Sequence, residues 1–364
     1  MAANCKARLV ELNPIDISAL READPQDPAV ARVVELVSMA CRDTGFLCIT
    51  GDGIDPGLQP RLEEAAREFF ALSESEKSRI AMEHGGRAWR GWFPLGGELT
   101  SGEADAKEGI YFGTDLGDSD PRVRAATPLH GRNLYPTRPA ALAGLVDQWM
   151  IAAVAVGQQL LSAMASGLGL PWHWFDRWCA DPTVMFRIFH YPAPPAAGTT
   201  PWGVAQHSDY GLLTILAQDS AGGLEVKTPD GWIEVPAEPG VLVCNLGDMV
   251  QRITGGRYRS TLHRVRRPTQ DRISMPLFLD PAWDAMVEPI VGRVDESPTP
   301  GRDGSTWDGL DPLEGPTRYG DYLSDKVSRV FPSLFECTIT EDISDPISAD
   351  RSRRDQPDGS VESQ

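Results

Sequence analysis

Residues 206–214 read Gln-His-Ser-Asp-Tyr-Gly-Leu-Leu-Thr, and residues 258–265 read Tyr-Arg-Ser-Thr-Leu-His-Arg-Val. His207 and Asp209 are two residues apart, so in an extended segment their side chains point the same way. His263, on a separate strand, can bring a second imidazole to the same point. Two imidazoles and a carboxylate on one octahedral face suit iron(II) and leave positions open for a co-substrate and oxygen. The two stretches therefore predict a mononuclear metal site at His207, Asp209 and His263.

A cationic residue follows the second histidine at a fixed distance. Arg272 and Ser274 share strand parity, so a guanidinium and a hydroxyl can face the same cavity. Arginine offers a carboxylate a bidentate fork that lysine cannot. The pair predicts a receptor for a dicarboxylate that has one end on the metal and the other on Arg272. A structural ion pair is the alternative role for Arg272.

The distribution of turns and apolar runs predicts a mainly β fold with flanking helices. Helical signals dominate the first half: a helix at about 28–42 capped by Asp27, a second at 56–72, and a long one at 139–168. Between them the sequence predicts a strand at Phe46–Thr50 and glycine-rich, irregular structure over 84–136. From residue 184, short β-like runs separated by Gly, Pro and Asp predict a sandwich or barrel. These runs are 184–191, 212–218, 223–226, 232–235, 241–246, 260–265 and 272–279.

The same pattern predicts one catalytic domain over residues 1–340. Within it, 1–183 is mostly helical, 184–283 is the β core that carries the metal site, and 284–340 is helical and loop-like. Residues 341–364 are polar and charged with little to bury, which predicts a disordered tail.

Composition limits the partners. The formal charge of -18 repels phosphate backbones, so nucleic acid is not expected as a partner, whereas a small-molecule substrate is. The six cysteines form no C-x-x-C pair, which favours reduced thiols in a cytoplasmic protein. No run of about 18 uninterrupted apolar residues occurs, so no membrane span is expected. The sequence does not indicate the oligomeric state.

Six motifs in combination resemble the isopenicillin N synthase-like branch of the iron(II)/2-oxoglutarate-dependent dioxygenases. They are Arg-Ile-Phe-His-Tyr-Pro at 187–192, His-Ser-Asp-Tyr-Gly-Leu-Leu-Thr at 207–214, Gly-Gly-Leu at 222–224, Asn-Leu-Gly-Asp at 245–248, Tyr-Arg-Ser-Thr-Leu-His-Arg-Val at 258–265 and Arg-Ile-Ser at 272–274. The resemblance covers roughly residues 8–335. It implies a double-stranded β-helix (jelly-roll) core and an oxidoreductase that uses Fe(II), 2-oxoglutarate and O2.

The implied reaction is oxidation, by default hydroxylation, of an unactivated C–H bond of a small organic molecule, with succinate and CO2 as co-products. The resemblance also implies that Tyr191 contacts the co-substrate. Many relatives carry asparagine two residues before this tyrosine, whereas here Phe189 stands there and His190 follows. Arg187, Phe189 and Tyr191 share strand parity, and Tyr210 adjoins Asp209. Arg187, Phe189 and Tyr210 are therefore candidate substrate contacts, with a buried salt bridge as the alternative for Arg187.

Three other functions remain open at this point. Isopenicillin N synthase and aminocyclopropane-carboxylate oxidase share the implied fold without consuming 2-oxoglutarate, and ethylene-forming enzymes fragment 2-oxoglutarate itself. A non-catalytic jelly-roll binding protein is the alternative of another class, although such a module has no need of open metal positions. The organic substrate is not encoded in any motif that we identify.

Overall fold

The computed structural model describes residues 12–21, 24–100, 103–193, 202–290 and 317–330. Cys5, Cys337, residues 291–316 and residues 331–340 lie outside the described residues, as does the predicted disordered tail at 341–364. The other four cysteines are buried free thiols, in agreement with the predicted reduced state.

Eight α-helices occur in the described ranges. They are α1 (Pro28–Asp43), α2 (Leu58–Phe70), α3 (Glu74–Lys77), α4 (Pro121–Arg124), α5 (Leu142–Gly167), α6 (Asp176–Cys179), α7 (Asp248–Ile253) and α8 (Tyr319–Val330). The predicted cap of α1 is confirmed, because the Asp27 carboxylate accepts a hydrogen bond of 2.8 Å from the Ala29 N–H. Short 3-10 helices cover Ser18–Leu20, Ser78–Ile80 and Met82–Ala88.

Sixteen strands occur in the same ranges. In chain order, β1 to β8 are Ile15–Asp16, Phe46–Thr50, Gly91–Phe93, Leu99–Thr100, Glu103–Ala104, Glu108–Gly113, Thr183–Tyr191 and Trp202–His207. Strands β9 to β16 are Leu213–Gln218, Leu224–Thr228, Gly231–Glu234, Leu242–Leu246, His263–Arg266, Arg272–Asp280, Met286–Val287 and Thr317–Arg318.

Two sheets form the core of the fold. The larger has eight strands in the order β1-β2-β12-β9-β14-β7-β6-β3, and the smaller has four in the order β11-β10-β13-β8. Most neighbours in this order are not consecutive in the chain, as in a double-stranded β-helix, and side chains of both sheets line one cavity. The predicted jelly-roll core with flanking helices is confirmed.

The large sheet includes two early strands that the sequence does not predict. Strand β2 lies where a strand is predicted, at Phe46–Thr50, but β3 and β6 were not predicted, and β6 pairs directly with β7. The prediction of irregular structure over 84–136 is therefore wrong at these strands. All six residues of β6 are buried, so it lacks the polar–apolar alternation that reveals a half-exposed strand. Strand β8 was also missed, although it carries His207.

Helix α5 supports the large sheet as predicted. Its buried positions include all eight of the predicted ones: Leu142, Leu145, Val146, Trp149, Ala153, Val156, Leu160 and Met164. It packs against β9 and β14 on one side and against α1 and α2 on the other. By length and composition alone α5 could cross a membrane, and it is the one helix of the described ranges that could. Half of its most apolar window is buried inside the protein, so core packing accounts for its composition.

We predict that Gly45→Ala destabilises the protein by about 2–4 kcal/mol. Gly45 links α1 to β2 with φ +67, and an added Cβ would lie 2.1 Å from the backbone oxygen of Arg259. Both the left-handed backbone and the close approach oppose any side chain. The free energy of unfolding measured by denaturant titration tests this.

Gly144→Ala is the matched control. Gly144 lies in the first turn of α5 and has nothing within 4 Å of an added Cβ. Alanine is favoured over glycine in a helix by up to about 1 kcal/mol, so this variant should be neutral or slightly more stable. Equal stability of the two variants would contradict the packing described for Gly45.

Candidate metal centre and its cavity

Two neighbouring strands of the small sheet hold the two predicted histidine ligands. His207 ends β8, His263 begins β13, and the two residues are direct cross-strand partners. Asp209 lies in the loop after β8. One ligand atom from each of the three side chains lies within 4.8 Å of the others. The structure therefore brings together the triad that the sequence predicts.

Backbone contacts aim both imidazoles at the same point. Nδ1 of His207 lies 2.9 Å from the Ala205 carbonyl oxygen, and Nδ1 of His263 lies 3.1 Å from that of Thr261. Since a carbonyl only accepts, each Nδ1 carries the proton and each Nε2 keeps its lone pair. The Nε2 atoms lie 3.8 and 3.7 Å from Oδ1 of Asp209, a spacing that leaves room for an ion between them.

The two oxygens of the Asp209 carboxylate have different partners. Its Oδ2 accepts hydrogen bonds from the Thr214 hydroxyl at 2.5 Å and from the Asn245 amide at 2.6 Å. Its Oδ1 faces the two imidazoles. Burial raises the pKa of Asp209, but the nearby histidines and the two donors outweigh burial and leave the pKa below its ordinary value. The carboxylate is therefore ionised and ready to bind a cation.

The donor set fits a divalent transition metal. Burial, followed by the neighbouring His263, lowers the pKa of His207 to about 4, so this imidazole is neutral, as a ligand must be. Two neutral imidazoles and one carboxylate on one side of a site form the facial arrangement typical of non-haem iron(II). His207, Asp209 and His263 would hold the ion.

Close backbone packing fixes the loop that carries Asp209. The Asp209 carbonyl accepts a hydrogen bond of 2.8 Å from the Asp248 N–H. An added Cβ at Gly211 would lie 1.4 Å from Oδ1 of Asp280, so only glycine fits there. Asp280 is itself held by the Tyr319 hydroxyl at 2.5 Å. The His-x-Asp-x-Gly spacing of the sequence therefore has a steric as well as a chemical cause.

A cavity of about 120 Å³ opens beside the triad between the two sheets. All nine predicted site residues line it: Arg187, Phe189, Tyr191, His207, Asp209, Tyr210, His263, Arg272 and Ser274. The large sheet contributes alternate residues of β7 and of β14 to the cavity wall, because successive side chains of a strand point to opposite faces of the sheet. Strand pairing sets Arg272 opposite Tyr191 and Ser274 opposite Phe189.

Arg272 is buried at one end of the cavity, beside Tyr191. Its Nε donates to the Gly222 carbonyl at 2.9 Å, and its guanidinium lies 4.7 Å from the centre of the Tyr191 ring. Its Nη1 is buried without a hydrogen-bond partner among the described residues. A buried donor without a partner is costly, so a ligand acceptor is expected here.

Arg187 is the second guanidinium on the cavity wall. It lies 4.2 Å from the ring centre of Tyr111 and 4.7 Å from that of Phe278. Its Nη1 is 3.5 Å from Oε1 of Glu98, and its Nε is buried without a hydrogen-bond partner in the described part of the chain. The salt bridge considered from the sequence is therefore present but long, and Arg187 still faces the cavity.

Sequence reasoning missed the acidic and basic pair beside Arg187. Lys107 Nζ lies 2.8 Å from Oε2 of Glu98 and also contacts Asp105. Burial lowers the pKa of Lys107, but the two carboxylates outweigh burial and raise the pKa above its ordinary value, so the ammonium group stays charged. Both Glu98 and Lys107 come from the stretch that was predicted to be irregular.

We predict that Thr214→Val weakens binding of Mn²⁺ to the triad by about tenfold or more. The change keeps the shape of the side chain and removes one of the two donors to Oδ2 of Asp209. The carboxylate then loses part of its orientation toward the imidazoles. Titration calorimetry with Mn²⁺ measures the dissociation constant, and His207→Ala should abolish binding.

Thr228→Val is the control for this substitution. Thr228 is also buried in a strand, but its hydroxyl donates to the Gly231 carbonyl at 3.0 Å and has no contact with the triad. Its Mn²⁺ affinity should equal that of the wild type. If both variants bind Mn²⁺ as tightly as the wild type, the hydrogen bond to Asp209 does not tune the site.

Sequence profiles of two protein families match this chain. The profile of the 2OG-Fe(II) oxygenase superfamily matches residues 182–281, which contain the whole triad and Arg272. The profile described as non-haem dioxygenase in morphine synthesis N-terminal matches residues 12–138. Together the two matches cover the large sheet, the small sheet and the first helices.

Three curated relatives match over most of the chain. A protein named a probable iron/ascorbate oxidoreductase from Dictyostelium discoideum is 40% identical over 89% of this chain and 96% of its own. The 2-oxoglutarate-dependent dioxygenase citB of Monascus ruber is 34% identical over 83% and 91%. A 1-aminocyclopropane-1-carboxylate oxidase of Dictyostelium discoideum is 30% identical over 87% and 94%.

Solved structures agree with the fold described above. A 2OG-Fe(II) oxygenase family protein from Caulobacter crescentus superposes with a TM-score of 0.71 at 26% identity, over 87% of this chain and 98% of that one. The relatives are enzymes, which argues against a non-catalytic binding protein. With its triad and its jelly roll in place, this chain belongs to the 2OG-Fe(II) oxygenase superfamily and is a non-haem Fe(II) 2-oxoglutarate-dependent dioxygenase.

Proposed function

We propose that the protein hydroxylates a carbon of a small organic acid and consumes 2-oxoglutarate and O2 in each turnover. One observation carries the proposal: two guanidiniums face the same cavity from neighbouring strands of the large sheet. Arg187 lies four residues along β7 from Tyr191, the strand partner of Arg272. At the rise of a β-strand this separates the two receptors by roughly 13 Å.

Arg272, Ser274 and Tyr191 form the co-substrate end. The free Nη1 of Arg272 and the Ser274 hydroxyl can take the distal carboxylate of 2-oxoglutarate, with Tyr191 beside them. The opposite end of 2-oxoglutarate then reaches the side of the triad that protein ligands leave open. Bound Fe(II), with 2-oxoglutarate and O2, supplies the oxidising equivalents, and succinate and CO2 are the co-products.

Arg187 marks the substrate end. Arg187 and Asp209 line the same cavity. The fork of the guanidinium suits a carboxylate, and the rings of Tyr111 and Phe278 lie against it. Its contact with Glu98 is long, at 3.5 Å, and its Nε is buried without a hydrogen-bond partner among the described residues, so a substrate carboxylate can pair with it. Two relatives support an acid substrate by name, the 1-aminocyclopropane-1-carboxylate oxidase and a homoarginine-6-hydroxylase of rice.

The rest of the cavity wall orients the substrate and excludes water. Phe189 and Tyr210 contribute aromatic surface, and Leu99, Met185 and Val327 contribute apolar surface. An apolar wall holds the carbon chain of an acid while Arg187 fixes its head, so one C–H bond faces the metal. Hydroxylation, rather than another oxidation, is supported by the hydroxylase named among the relatives.

The second candidate function is an oxidase that does not consume 2-oxoglutarate. The 1-aminocyclopropane-1-carboxylate oxidase relative favours it, since it covers nearly the whole chain. In that case Arg272 and Ser274 would hold a carboxylate of the substrate instead.

Release of succinate distinguishes the two functions. Purified protein loaded with Fe(II) is incubated with labelled 2-oxoglutarate, O2 and a panel of amino acids and other small carboxylic acids, and products are identified by mass spectrometry. We expect substrate-dependent succinate in stoichiometric amount with a product heavier by one oxygen atom, and none with His207→Ala. Turnover of a substrate without succinate would establish the oxidase instead.

Replacing each arginine by glutamine tests the roles of the two receptors separately. Arg272→Gln should weaken 2-oxoglutarate binding by about 100-fold, since a charged hydrogen-bonded pair is worth a few kcal/mol, and should change the KM of the acid substrate little. Arg187→Gln should do the reverse. Dissociation constants from calorimetry and KM values from the succinate assay measure both. A loss of 2-oxoglutarate affinity in Arg187→Gln would place the substrate elsewhere.

A further inference from the structure

His190 joins two acidic side chains on the face of the large sheet that points away from the cavity. Its Nδ1 lies 2.9 Å from Oε1 of Glu108 on β6, and its Nε2 lies 2.6 Å from Oδ2 of Asp271 just before β14. The ring stacks on Phe70 of α2 at a centroid distance of 4.9 Å. His190 therefore connects three neighbouring strands and one helix.

Further ion pairs extend this contact in both directions. At one end, Lys77 of α3 lies 2.8 Å from Oε2 of Glu108. At the other end, Arg67 of α2 contacts Asp271 and lies 2.6 Å from Oδ2 of Asp219. We call this series of side chains the acid–base chain; in order it comprises Lys77, Glu108, His190, Asp271, Arg67 and Asp219.

One end of the acid–base chain involves both residues that flank Arg272. Asp271 precedes Arg272 directly, and Oδ2 of Asp219 accepts a hydrogen bond of 2.7 Å from the N–H of Ile273, which follows it. Gln218, beside Asp219, lies 3.4 Å from Nη2 of Arg272 itself. The strand end that aims the guanidinium into the cavity is thus held from outside by charged contacts.

We propose that His190 is a positioning residue for the co-substrate: by bridging Glu108 and Asp271 it fixes the strand end that carries Arg272. This inference rests on the proposed function, because it takes Arg272 as the receptor of 2-oxoglutarate. His190 itself faces away from the cavity and touches neither the triad nor the ligand. Loss of the bridge therefore weakens binding of 2-oxoglutarate and leaves the metal and the acid substrate unaffected.

The bridge is strongest when His190 carries a positive charge. Burial lowers the pKa of His190, but the hydrogen bonds and charges of Glu108 and Asp271 outweigh burial and raise it above 6.5. The charged groups that face this region from the surrounding elements are Arg67 and Glu63 on α2, Lys77 on α3, Glu108 on β6, Asp219 after β9 and Asp271 before β14.

His190→Gln tests the inference by direct binding. With Mn²⁺ in the metal site and no O2, so that no turnover occurs, we expect the dissociation constant for 2-oxoglutarate to rise about three- to tenfold. The affinity for Mn²⁺ and, in the assay, the KM of the acid substrate and kcat at saturating 2-oxoglutarate should stay within about twofold. Asp271→Asn should have the same effect, and the double variant should add little to either single one.

His173→Gln is the matched control. His173 pairs with Asp176 at 3.3 Å on the surface, away from the sheets, and should leave every constant unchanged. If His190→Gln does not fold, Asp271→Asn carries the same expectation, since its carboxylate is half exposed.

Two results would overturn the inference, and they are distinguishable. If the wild type does not bind 2-oxoglutarate, the proposed function fails and the inference fails with it. If the wild type binds and both variants bind equally tightly, only the role of His190 is lost, even where thermal stability falls. A parallel loss of Mn²⁺ affinity would also overturn it, because the damage would then be general.

The pH dependence of binding gives an independent measurement. The charged bridge is complete below the pKa of His190 and is lost as the pH rises through that value, which lies above 6.5, so the wild-type dissociation constant for 2-oxoglutarate should increase as the pH is raised from 6.5 into the alkaline range. In His190→Gln it should be high and constant over the same range. A wild-type profile as flat as that of the variant contradicts the bridge.

Discussion

The rest of this structure depends on the contacts that the two oxygens of the Asp209 carboxylate make with different partners. One oxygen faces the imidazoles of His207 and His263, and the other accepts hydrogen bonds from Thr214 and Asn245. The donors come from the large sheet and the histidines from the small one. The site therefore exists only while the two sheets face each other at the right separation.

The cavity combines two kinds of electrostatic environment. Around the triad, burial lowers the pKa of His207 and keeps its imidazole neutral, while the neighbouring groups keep the pKa of Asp209 low and the aspartate ionised, which is the state that binds a cation. On the large sheet, two guanidiniums keep buried donors without partners among the described residues. An unfilled donor in a dry site is unfavourable until an acceptor arrives. The same low polarity that makes these positions costly also makes them selective for anionic ligands.

Much of the site could be predicted because each piece depends on local spacing. Side chains two residues apart on an extended segment point the same way. The pairing of His207 with Asp209, and of Arg272 with Ser274, therefore follows from the sequence alone. The spacing of apolar residues likewise identified the buried face of α5. Strand β6 could not be predicted, since a strand buried on both faces has no alternation and short apolar runs are ambiguous. Lys107 and Glu98 were lost with it.

The sequence by itself determined the His-Asp-His triad, the arginine that lines the same cavity and the class of fold, because these rest on periodicity and on the chemistry of side chains a few residues apart. Only the tertiary structure decided which distant groups meet. It placed Lys107 against Glu98 beside Arg187, and it set His190 between Glu108 and Asp271 from separate strands. Such pairings depend on strand order, and strand order is a property of the whole folded chain rather than of any segment.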